Sequence, residues 1–144
     1  MNIEFVDQLI QCFTEYKCKV KIKNDILFLN FDGQPSERKY LINLFEVDGA
    51  GTLGLKITWS LGEVVEPDKI ASLLVINYEK FQDMGPLYGA ILPMKDDSIR
   101  FLLVGQLIFP PGTPAQEVVT ILFNNAFMNY TMFELSVPGV KMFE

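Results

Sequence analysis

The sequence contains no histidine. Ser-His-Asp and Cys-His nucleophile pairs therefore cannot be built within this chain. Zinc and non-haem iron sites lose their commonest ligand. Cysteine is scarce as well. Cys12 and Cys18 are the only two. They lack metal-ligand spacing and make no disulfide framework, so a reducing, cytoplasmic setting is expected. Cys18 falls on an inward strand position, where it acts as a small hydrophobe. Positive charge is in deficit, with 12 Lys and Arg against 18 Asp and Glu and a net charge of −6. That balance opposes general nucleic-acid binding, which needs a basic surface to displace counterions, and adsorption to an anionic membrane. No apolar run approaches the ~20 residues that span a bilayer. The acidic start, Met1 to Asp7, lacks the regions of a signal peptide. Asn129-Tyr130-Thr131 matches the glycosylation sequon, but without secretion it is a chance match.

What is present suits a packed core. The chain has 144 residues, 49% of them hydrophobic and 12% aromatic, enough for one domain spanning residues 1–144. Ile3, Val6, Leu9, Ile10 and Phe13 recur at helical spacing and predict a helix over 2–16. From Lys17 the period becomes two. Lys17, Lys19, Lys21 and Lys23 alternate with Cys18, Val20 and Ile22, the pattern of a half-buried strand. A turn at Asn24-Asp25 leads to a second strand over 26–31, and 40–47 reads as a third. Leu53, Leu55, Ile57, Trp59 and Leu61 then alternate with Lys56, Thr58 and Ser60, giving a strand with one dry face.

Pro67 opens a helix that runs to about Lys80 and stops at Gly85-Pro86. Residues 87–94 and 99–109 form a hairpin across Lys95 to Ser98. The last helix is predicted from Pro114 to Phe133, with a capping box of Thr113 and Gln116. Residues 134–144 read as a loose tail. The class is α+β: an antiparallel sheet of five to six strands with helices at the N-terminus, middle and C-terminus.

Several motifs invite chemistry. Gly49-Ala50-Gly51-Thr52-Leu53-Gly54 matches G-x-G-x-x-G, which in a dinucleotide site opens a helix. Here β-branched, period-two residues follow, so a hairpin turn is the better reading. The Lys17–Lys23 stripe could dock an acidic partner or phosphate, or protect an edge strand. Asp96-Asp97 and Glu63/Glu66 are acidic pairs in polar turns, which is weak ground for acid-base work or cation binding.

Surplus apolar surface carries more. On the strand 99–109, Leu102, Val104 and Ile108 face away from Phe101, Leu103, Leu107 and Phe109. On the last helix, Val119, Leu122, Ala126, Tyr130 and Phe133 form a core stripe, while Ile121, Met128 and Met132 fall on another side. Such surplus marks interfaces, and methionine suits adaptable ones. The strand set is the expected subunit contact. The helical set is the expected contact with a partner polypeptide.

The second half carries a resemblance. Ile70-Ala71-Ser72-Leu73-Leu74-Val75-Ile76-Asn77 leads through Gly85-Pro86 to two strands, then Pro110-Pro111-Gly112-Thr113-Pro114 and a helix. This order resembles the class I type III secretion chaperone fold and the related YbjN-like family. The resemblance implies a homodimer paired through the middle helix and following strands, with apolar patches for an extended client and no catalytic residues. The chain departs in reading four strands before the middle helix where the family pattern has three.

The sequence thus points to a non-catalytic, homodimeric, protein-binding domain without metal or cofactor, a chaperone-like or adaptor module. A YbjN-like regulatory domain and a nucleotide-binding enzyme using the Gly49–Gly54 loop are the rivals.

Overall fold

Two periodicities become two layers. Apolar residues at every second position pair into a sheet, and those at helical spacing lie across one side of it. The computed structural model describes residues 3–81, 87–127 and 138–143. Its first half comprises α1 (Ile3–Glu15), β1 (Cys18–Lys23), β2 (Ile26–Phe31), β3 (Tyr40–Glu46) and β4 (Leu53–Val64). A 3-10 turn (Pro67–Lys69) precedes α2 (Ile70–Phe81), β5 (Leu87–Pro93) and β6 (Ile99–Phe109). Last come α3 (Ala115–Ile121), a π-helical turn (Leu122–Phe127) and β7 (Val140–Met142). The class is α+β, as expected. The strands are antiparallel in the order β1-β2-β3-β4-β6-β5, with β7 on β4.

Register sorts the side chains. Cys18, Leu27, Leu29, Tyr40, Ile42, Leu55, Ile57, Trp59, Phe101 and Leu103 are buried beneath the helices. Leu9 and Phe13 of α1, Leu73 of α2, and Val118, Val119 and Leu122 join the same core. An aromatic path crosses it. Tyr16 stacks on Phe123 at 4.1 Å, Phe123 meets Phe31 at 5.7 Å, Phe31 meets Tyr40 at 4.7 Å and Tyr40 meets Trp59 at 4.5 Å. One path thereby ties the turn after α1, the π turn and three strands, with ring pairs in favoured geometries.

Three expectations are corrected. Among the described residues the sheet has seven strands, not five to six, because the presumed tail contributes β7. Val140–Met142 pairs with Gly62–Val64 just where β4 bulges between Ser60 and Gly62. Gly62 permits this approach, since a Cβ there would lie 2.6 Å from the Lys141 carbonyl oxygen. The capping box does not form. The Thr113 hydroxyl instead donates to the Pro110 carbonyl at 2.7 Å, closing the link before α3, and Gln116 reaches Thr120. Pro114 takes the N-cap position without a side-chain cap. The α-helical ladder also ends at Ile121, where the π turn widens the coil. Residues 128–133 of the predicted helix, with the sequon at Asn129, lie outside the described residues.

Candidate protein-interaction face

The glycine motif is a hairpin turn. It joins β3 to β4, and no helix follows it. Gly49 and Gly51 have φ of 67° and 90°, in the left-handed region that favours glycine. Asp48 accepts from the Ala50 amide at 3.0 Å and the Thr52 hydroxyl at 2.9 Å. Glu46 accepts from the Gly51 amide at 3.0 Å. The amide of Ala50, first among these donors, and the Thr52 hydroxyl hold the Asp48 carboxyl below its usual range. Amides engaged by carboxylates do not cradle a phosphate. The turn borders a cleft of about 690 Å³ whose lining includes Glu4, Phe5, Phe45 and Glu46 but no lysine or arginine, a poor match for a nucleotide.

Of the other acidic pairs, Asp96 and Glu66 are engaged in structure. Asp96 accepts from the hydroxyl and amide of Ser98, closing the β5–β6 turn, and the hydroxyl bond is the chief cause of its lowered pKa. Glu66 pairs with Lys69 at 3.1 Å, while Glu63 stands opposite Arg100 and Lys141 on neighbouring strands. Among the described residues no group of three or more metal-ligating side chains gathers.

Among the described residues the sheet's second face is open, because the helices pack on the first. Register places Leu102, Val104 and Ile108 of β6 there, beside Tyr88, Ala90 and Leu92 of β5. Tyr88 lies directly opposite Val104, and Ile108 lies opposite Gly54 of β4. The Phe45 ring lies over Gly54, where any Cβ would fall 2.3 Å from the ring, so Phe45 extends the apolar row towards Ile108. Ile108 is 60% exposed and Tyr88 58%. The three predicted strand residues do share a face, but unequally: Leu102 is buried, Val104 half-buried and Ile108 open.

On the last helix, Ile121 is partly buried and packs against the core. The wide π turn brings Leu122 and Phe123 into the same layer, so simple helical spacing misplaces Ile121's surroundings. Met128 and Met132 lie outside the described residues. Sequence reading missed the exposure of Tyr88, Leu92 and Leu74, while Val75 stood out as apolar surface beyond the stripe of α2. The alternation of Tyr88, Ala90 and Leu92 was the available signal for the first two.

Burial pushes the Cys18 thiol up to about 11 and the Cys12 thiol upward as well. Desolvation leads in both, with negative neighbours Asp32 and Glu15 adding to it. Mass spectrometry after brief alkylation near pH 8 is expected to show Cys12 modified first. Cys18 should react only under unfolding conditions, and equal labelling in the native state would contradict its burial.

No protein-family model and no curated protein sequence matches the chain. Among solved structures, the architecture is that of a YbjN-like fold. The chain is similar to the crystal structure of YbjN from E. coli, given there a provisional role as a transcription regulator. The TM-score is 0.56 at 13% identity, over 88% of this chain and 86% of that one. No described helix is long and apolar enough to cross a membrane.

Proposed function

We propose that the chain is a non-catalytic protein-binding domain of regulatory or adaptor type, active as a homodimer. One observation carries the reading: β5 and β6 leave large apolar residues exposed on the sheet's open face. Tyr88, Leu92 and Ile108 are each at least 48% exposed. Exposed apolar residues sharing one face in this way mark a surface that another chain covers. The likeness to YbjN is consistent with a regulatory role, and the net charge of −6 favours regulation through protein contacts over contact with DNA. The secretion-chaperone form of the reading requires in addition an unfolded client.

Light scattering after size exclusion tests the dimer. The expected mass is about twice the 16.4 kDa chain. Ile108→Glu with Tyr88→Glu is expected to yield a folded monomer, because both side chains are already open to solvent and the charges burden only an interface. A wild-type monomer, or a dimer unaffected by both substitutions, would remove this surface from the reading.

A further inference from the structure

The open face is segregated by charge. From β1 through Ser60 of β4, its strand positions hold Lys19, Lys21, Lys23 and Lys56 and not one carboxylate. Glu63 enters only past the bulge, opposite Arg100. In a chain of net charge −6 this leaves a local field of opposite sign. Among the described residues none of the four lysines is in an ion pair. Edge protection accounts for lysines on β1. It does not account for Lys56, which lies three strands in, on the row Lys23, Ile26, Asn43, Lys56.

We propose that β1 accepts an extended acidic polypeptide segment as an added strand, its carboxylates meeting Lys19, Lys21 and Lys23, with Lys56 adding only to the positive field of the face. The inference rests on the chain being a protein-binding domain and names the partner's chemistry. β2 is the sole strand neighbour of β1 among the described residues. Residues directly opposite on an added antiparallel strand bring Cβ atoms to roughly 5 Å, and same-face positions recur about every 7 Å. A segment with Asp or Glu at alternate positions therefore matches Lys19, Lys21 and Lys23. Apolar residues between them meet the other side of β1, where Ile22 is 46% exposed. The same lysines repel a second copy of β1, so one feature rejects self-pairing and selects an acidic partner. A nucleic-acid strand gains nothing from the strand's backbone ladder and is repelled at range by the net charge.

Fluorescence anisotropy on the full chain provides the test. The probes are a labelled peptide alternating Glu with Val, its Lys-for-Glu counterpart, and a single-stranded thymidine oligonucleotide. The Glu peptide is expected to bind, and to be released near 1 M salt, where screening acts over about 3 Å. Lys19→Glu with Lys21→Glu is expected to weaken the Glu peptide by about tenfold or more and to confer binding of the Lys peptide. Lys19→Arg with Lys21→Arg should retain the original preference. No binding of the Glu peptide, indifference to the reversal, or tighter binding of the oligonucleotide would each overturn the proposal. Mass measured on the same samples separates the two readings. A monomer that binds the peptide sinks only the dimer, and a dimer that does not bind it sinks only this site.

Discussion

Trp59→Ala is expected to cost about 3–5 kcal/mol, most of a typical domain's margin of about 5–15. Trp59 is the only tryptophan and is 1% exposed. It stands between Tyr40 of β3 and Leu103 of β6, its opposite numbers on the two neighbouring strands. Removing the indole opens a cavity at the centre of the sheet and ends the aromatic path at Tyr40. Neighbouring side chains anchored on paired strands have little freedom to collapse into it. Urea unfolding followed by far-ultraviolet circular dichroism measures the loss, since the variant has no tryptophan fluorescence. Trp59→Phe keeps a ring against Tyr40 and should lose markedly less. A loss under about 1 kcal/mol for alanine would mean the centre of the sheet is not packed as described.

Gly62→Ala is the second large effect, because the atom closest to the added methyl is backbone, which cannot rotate away. Its Cβ would lie 2.6 Å from the Lys141 carbonyl oxygen and 2.9 Å from a Val140 methyl. Relief requires β7 to move off β4, with loss of about 1–3 kcal/mol. Phe143 donates to the Leu61 carbonyl at 2.9 Å, and Val65 donates to the Gly139 carbonyl at 2.8 Å, so both flanks of β7 are affected. Hydrogen exchange should show faster exchange at Phe143 and Val65, while β2 and β3 are unchanged. Uniform acceleration across the sheet would instead mean that β7 is part of the global unfolding unit.

Long, regular alternation was legible from residue order alone. The lysine stripe of β1 and the Leu53–Leu61 pattern specify strands because polar and apolar residues alternate with the side-chain direction, even though Ile22 ends up exposed. α2 was legible for a similar reason, with Pro67 before it and Leu73 turned inward. β7 was not, because three residues give no period and its strand state depends on the bulge it pairs against. The failed cap at Thr113 has the same root: a side chain able to cap can equally close the turn before it, and only tertiary position decides. Of the candidate site, the surplus face of β6 was visible in sequence. Its unequal exposure was not, because cover depends on which strands lie alongside. The charge segregation needed register as well, since Lys56 joins the β1 lysines only once strands are paired.

The strand order has a kinetic consequence. β1 to β4 form a meander of successive neighbours, and β5 pairs with β6 across one short turn. These units need only local loop closure. The β4–β6 seam is different, since it aligns Leu53 with Phe109 across the whole of α2 and the β5–β6 hairpin. Its closure entropy falls due before its contacts stabilise anything, so the seam is expected to be the slow step of assembly. Until it forms, the apolar edges of β4 and β6 stand open together, and that interval is when the nascent chain is most exposed to aggregation.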